Sequence, residues 1–173
     1  AGENIILELK GVNNNQIKKG FVISDIEKQI PVTKRFKVQL NILDLLEHKS
    51  LITKGFTAKL HIHNLTTDCK FDKLLNQIDR KTGETKNIVF AASNCTVTAI
   101  LSVLDSICLE KYDDFNRLGR FTLRDEDKTI GIGKITILGE LKDYFDGDNN
   151  KIEVPDDWKG VYNVKWEKEF KIN

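Results

Sequence analysis

The chain has 173 residues, of which 40% are apolar and 31% charged, and its 27 Lys and Arg against 26 Asp and Glu leave a formal charge of +1. Its apolar residues are too dispersed for a membrane-spanning run, which argues against an integral membrane protein, and the near-neutral charge gives no general support to phosphate-backbone binding, so direct DNA binding is not expected and only local basic patches remain open. The 19 Ile, 10 Val and 12 Thr far outnumber the 5 Ala, a bias toward side chains that pack on pleated sheets, so the expected class is all-β.

In chain order, residues 3–12 alternate apolar and polar as a half-buried strand does. A polar break at Asn13, Asn14 and Asn15 precedes a second short run, Phe21 to Ile23. Such a pair is not stable alone in water and must lean on something else. Residues 1–33 therefore read as the closing strands of a truncated unit, and the chain as a piece of a longer one. Beyond Pro31, Phe36 to Ile42 alternates without a flaw and opens the main domain, 34–138. Leu45 to Lys54 reads as a loop or a single helical turn, followed by a strand from Phe56 to His63 and another near Cys69 to Ile78. Asp79 to Glu84 is a turn in which Gly83 supplies a positive φ. A further strand follows from Ile88, then a β-branched segment at 94–104, a short one at Ile107 to Glu110, and an acidic loop through Asp113, Asp114 and Phe115.

The clearest hairpin runs from Gly119 to Asp125, turns at Glu126 and Asp127, and returns from Lys128 to Leu138. Phe121 and Leu123 are expected inside, Arg120, Thr122 and Arg124 outside. Ile130 and Ile132 share one parity and Ile135 and Ile137 the other, which predicts a bulge near Gly133 and Lys134. On this register Gly131 and Gly133 form a bare backbone strip open to a neighbouring strand or partner. Short strands with turns between them predict a closed antiparallel barrel. Residues 139–173 read as an extension that adds an edge strand or lies over the barrel wall.

Side-chain chemistry offers little catalysis. His61 and His63 lack a third ligand at metal-like spacing and read as polar strand residues. Cys95 and Cys108 sit in apolar patterns and read as core thiols, and three widely spaced cysteines with no secretory segment argue against disulfides and for the cytoplasm. The carboxylates at Asp113–Asp114, Asp125–Asp127 and Asp156–Asp157 adjoin turns. Gly131-Ile132-Gly133-Lys134 is no phosphate loop, because the four-residue Gly spacing and the following helix are absent. No catalytic residue, cofactor or metal is assigned to this chain.

Gly119-Arg120-Phe121-Thr122-Leu123-Arg124-Asp125 followed by Lys128 to Lys134 resembles the last barrel of translational GTPases of the elongation factor one-alpha and Tu group. Within that group the sequence is most similar to the eukaryotic class II release factor, through Leu46 to Ile52, Gly55 to His63, Asp79 to Glu84 and Ser106 to Tyr112. Ala1 to Asn4 and Gly20 to Val22 resemble the close of that family's second barrel. The resemblance covers residues 1 to about 138 and departs at Asp127, where the pattern has Gly, and in the extension. It implies a closed antiparallel Greek-key barrel and a full-length GTPase of translation termination, with GTP and Mg held in a domain outside this chain. The implied partner is the C-terminal domain of the class I release factor, with the ribosome met through the full complex. By position the implied docking residues are Gly119, Arg120, Phe121, Thr122, Leu123, Arg124, Asp125, Thr129, Gly131 and Gly133. The alternatives are an elongation-factor barrel that binds aminoacyl-tRNA and the barrel of the ribosome-rescue GTPase paralogue.

Overall fold

Alternation of β-branched and polar residues with few helix formers yields nine strands and one helical turn in the computed structural model, which describes Ile6, Glu8, Gly11 and residues 17–79 and 82–139. The strands are β1 (Val32–Ile42), β2 (Ile52–Thr53), β3 (Thr57–Ile62), β4 (Leu65–Ile78), β5 (Thr85–Asn87), β6 (Phe90–Ala91), β7 (Thr96–Cys108), β8 (Arg120–Asp125) and β9 (Lys128–Leu138), with the turn α1 at Asn116–Gly119. Six of them close on themselves in the order β3-β8-β9-β1-β7-β4, and β4 pairs back to β3. Every pairing is antiparallel. β1 reaches the far side of the β3-β4-β7 meander by a long connection, which is the Greek-key arrangement.

The period of two fills the barrel. On β1 Phe36, Val38, Leu40 and Ile42 are fully buried, and Leu60, Phe71, Val97, Leu101, Leu123 and Ile135 meet them from the other strands. Phe36 and Phe121 pair edge to face within the core (6.5 Å), and the half-buried Phe56 packs edge to face on the buried Phe71 (5.8 Å).

Several local readings change. The Phe21 to Ile23 strand does not form, and residues 17–31 carry no strand. Segments 94–104 and 107–110 merge into the single strand β7, and β4 begins at Leu65, four residues before Cys69, because His63 (φ 40) and Asn64 turn it directly out of β3. Of the strand expected from Ile88 only the two-residue β6 forms, and β5 lies just before it at Thr85–Asn87. Gly83 has the expected positive φ of 74. The expected strand at 3–12 and the extension from residue 140 lie outside the described residues.

Candidate functional site

The β8–β9 hairpin carries the motif that the sequence singles out, and its register decides which motif side chains a partner can touch. Phe121 lies opposite Gly133, Thr122 opposite Ile132 and Leu123 opposite Gly131; the register then slips, so that Arg124 faces Thr129 and Ile130 is the extra residue. A second slip against β1 makes Thr136 the extra residue between Ile135 and Ile137. Two bulges thus flank the position expected to hold one. Each satisfies the polar groups it displaces: the Ile130 carbonyl accepts from Leu43 N (2.9 Å), and Thr136 Oγ1 donates to Lys37 O (3.1 Å).

The slips reverse the expected parity. Ile130 is buried and Ile132 is 50% exposed; Ile135 is buried and Ile137 is 41% exposed. Gly131 and Gly133 face the interior, so the bare strip open to a partner does not exist. A Cβ at Gly133 would stand 2.4 Å from Phe121 Cζ, and one at Gly131 2.9 Å from Leu40 Cδ1. These two residues are glycines because the core side chains opposite them occupy the space. Gly119 is likewise internal: it ends α1 rather than starting the strand, and a Cβ there would lie 2.4 Å from Tyr112 Cα.

The hairpin tip is clamped. Asp125 is 8% exposed and accepts from Lys49 Nζ with both carboxylate oxygens at 2.9 Å. His48 Nε2 lies 3.0 Å from Glu126 Oε1, and Lys128 Nζ donates to Leu45 O (3.3 Å). The positive φ of the turn falls on Glu126 (φ 52), not on Asp127, so an Asp in place of Gly at 127 needs no left-handed backbone. Sequence reading missed Lys49, His48 and Lys128 as a unit; the inward parity that Asp125 shares with Phe121 and Leu123 was the signal that a cation had to reach it.

Of the ten motif residues, Phe121, Leu123, Asp125, Gly119, Gly131 and Gly133 are buried, while Arg120 is exposed and Thr122, Arg124 and Thr129 are half-buried. The outer face of β3-β8-β9 sets Lys59 opposite Arg124, His61 opposite Thr122, and Arg120 opposite Lys134. Like charges directly opposite on a sheet repel, and three of these four cations turn aside. Lys59 Nζ pairs with Asp68 (2.7 Å), Lys134 Nζ sits 5.5 Å above the Tyr112 ring, and Arg124 Nη2 donates to Asp127 O (2.7 Å). Arg124 Nε is buried with no hydrogen-bond acceptor among the described residues. The result is a cationic face around the exposed Ile132, held rigid from beneath by the clamp and the core.

The remaining candidates are structural. His61 Nδ1 lies 3.2 Å from Thr66 Oγ1, and His63 contacts Asn64 Oδ1 (2.9 Å) and Cys108 O (3.3 Å). No metal-holding group of three or more His, Cys, Asp or Glu occurs among the described residues. The core thiol is Cys69, pushed up to about 12 by burial, whereas Cys95 and Cys108 are half-buried. Burial also raises the Cys108 thiol, partly offset by a hydrogen bond with the Val22 backbone. Cys95 Sγ donates to Ala92 O (3.0 Å). Gly131 to Lys134 lies within a strand with both glycines facing inward, so it does not fit a nucleotide phosphate. Among the described residues no helix is long and apolar enough to cross a membrane.

Comparison with known proteins agrees with this architecture. The GTP-eEF1A C-terminal domain-like family matches residues 35–136. The eukaryotic peptide chain release factor GTP-binding subunit of Ogataea pini is 35% identical over 140 residues, covering 80% of this chain and 18% of the relative. Its counterpart in Debaryomyces hansenii is 37% identical over 138 residues, covering 79% and 19%. The chain thus spans about a fifth of the length of the curated relatives it matches. Among solved structures, sup35 complexed with GDP superimposes with a TM-score of 0.69 at 30% identity, over 75% of this chain and 31% of that one. A six-stranded closed barrel with this hairpin, matched over most of its length, belongs to the GTP-eEF1A C-terminal domain-like family.

Proposed function

We propose that this chain is the C-terminal barrel of a class II release factor and that it docks the C-terminal domain of the class I release factor in translation termination, in the cytoplasm. The whole protein would hydrolyse GTP, with GTP and Mg held by a domain other than this one, and would meet the ribosome through the complex. Residues 1–33 would complete the preceding barrel. The observation that carries the reading is the division of the hairpin: Arg120 and Arg124 stand on the outer face of a strand whose inner face is locked into the core. An anchored arginine loses little freedom on binding and makes a strong interface contact. The similarity to release factor GTP-binding subunits supports the choice of partner. The cationic rim around Ile132 fits a partner face with carboxylates surrounding an apolar contact.

Calorimetric titration of this chain with the class I factor's C-terminal domain, with aminoacyl-tRNA titrated separately, tests the proposal. The expected result is saturable binding to the first alone, weakened at least tenfold by Arg124→Ala with an unchanged melting temperature. Binding to aminoacyl-tRNA alone overturns it in favour of an elongation-factor barrel, and equal losses of affinity and melting temperature in Arg124→Ala give that arginine a structural role.

A further inference from the structure

The barrel wall centred on β1 and β7 has a surface chemistry of its own. β7 lies three strands from β8 in either direction around the closed order β3-β8-β9-β1-β7-β4, so this is the side of the barrel remote from the hairpin's outer face. The paired segments 35–41, 70–78, 96–102 and 132–138 hold five cations, Arg35, Lys37, Lys70, Lys73 and Lys134, against one carboxylate, Asp72. The wall is therefore +4 on a chain that is +1 as a whole. Asp72 is consumed locally: Arg35 Nε lies 3.1 Å from its Oδ2, and Ser102 Oγ donates to its Oδ1 (2.8 Å). Lys70 and Lys73 are exposed and Lys37 half-buried, and none of the three has a carboxylate within 4.0 Å among the described residues. Like charges on neighbouring strands with no counter-charge form an anion-seeking surface.

The apolar residues of the wall narrow the kind of anion. Register sets Lys73, Ile100, Lys37 and Ile137 side by side on β4, β7, β1 and β9, a row in which charge and hydrocarbon alternate. Ile137 is 41% exposed. A phosphate backbone presents charge and sugar and has no apolar face to lay against Ile100 and Ile137, whereas a protein segment with interleaved acids and apolar residues has one. Spacing sets the segment's conformation. Strands lie about 4.8 Å apart, so the row steps to about 4.8, 9.6 and 14.4 Å from Lys73. Positions i, i+3, i+7 and i+10 of an α-helix share one face and lie about 4.5, 10.5 and 15 Å along its axis. An extended strand repeats a face only every 6.8 Å or so and is out of step at the first Ile.

We propose that the β4-β7-β1-β9 wall docks an acidic amphipathic helix of a partner protein, with acids at i and i+7 against Lys73 and Lys37 and apolar residues at i+3 and i+10 against Ile100 and Ile137. Lys70, on the same face of β4, takes a further acid at the edge of the contact. The helix is read through its i, i+3 and i+7 anchors, and the contact weakens with salt because the lysines are partly exposed. The site is independent of the class I factor docking proposed for the hairpin, and both can be occupied at once.

Fluorescence anisotropy of a labelled synthetic helix of about five turns, with Glu at i and i+7 and Leu at i+3 and i+10 on an Ala-Gln background, titrated with the full chain, tests this. The expected result is saturable binding, at least tenfold tighter than that of a peptide of the same composition with the Glu and Leu positions scrambled. Lys37→Glu/Lys73→Glu should weaken it at least tenfold with an unchanged melting temperature, and Ile137→Ser, which leaves every charge in place, at least threefold. Equal binding of the ordered and scrambled peptides overturns the proposal, as does binding that survives the charge reversal or the absence of saturable binding. Tighter binding of a duplex RNA to the same lysines overturns it in favour of a nucleic-acid site. Repeating the titration with the chain saturated by the class I factor's C-terminal domain separates the two proposals. Unchanged peptide affinity is expected, displacement of the peptide overturns the separate site, and a C-terminal domain that fails to bind overturns the hairpin reading alone.

Discussion

The inner and outer sides of the β8–β9 hairpin are built from alternate residues of one motif, and they do different work. Inside, Phe121 lies against Gly133, Leu123 is fully buried, and Asp125 is closed off by Lys49. Outside, Arg120, Thr122 and Arg124 share a face with Ile132 and with His61 of β3. A contiguous motif is therefore not a contiguous surface: six of its ten residues hold the strand in place, and the others are what a partner can reach.

Substitutions on the two sides should separate accordingly. The largest effect is expected for Leu123→Ala, which removes a fully buried side chain next to the ring pair and should cost about 3–4 kcal/mol in denaturant unfolding. Gly133→Ala puts a methyl into the space of the Phe121 ring, and a loss of about 1–3 kcal/mol is expected. Repacking by Phe121→Leu in the same chain should recover part of it, and no recovery would mean that backbone strain, not the ring, sets the cost. Lys49→Met leaves Asp125 buried without its cation and should cost about 1–3 kcal/mol, with Lys49→Arg close to wild type. At the small end, Arg120→Ala should change stability by less than about 0.5 kcal/mol in thermal unfolding, since the side chain is exposed and relieves its repulsion with Lys134 when removed. A loss above 1 kcal/mol at Arg120 would erase the distinction between the two sides.

Much of the barrel was legible from period-two alternation. Phe36 to Ile42, Phe121 and Leu123, and the outward set Arg120, Thr122 and Arg124 all face as their spacing requires. What escaped was register. Alternation fixes parity only while no residue is inserted, and β9 carries inserted residues at Ile130 and Thr136, where a sequence with Ile at 130, 132, 135 and 137 shows only that one phase change is needed somewhere. That uncertainty moved Gly131 and Gly133 from core to surface. The clamp was hidden for another reason: Lys49 and Asp125 are distant in sequence, and only closure of the barrel brings loop and turn together. The polar pair Asp105 and Ser106 reads as a break in sequence, whereas β7 runs through it and the irregularity appears instead as a register shift against β1 between Ser102 and Ile107.

The pairing of β1 with β9 joins Phe36 to Leu138, so the first long strand of the barrel receives one of its two neighbours from the last. At a synthesis rate of about 5–20 residues per second, roughly 5–20 s separate the emergence of these two strands. Throughout that interval the apolar face of β1 has no closed barrel to enter, and its backbone edge is open to any extended chain nearby. The arrangement makes completion of the barrel a late event in synthesis, and it makes a nascent chain that stalls before Lys128 the species with the greatest need of a chaperone.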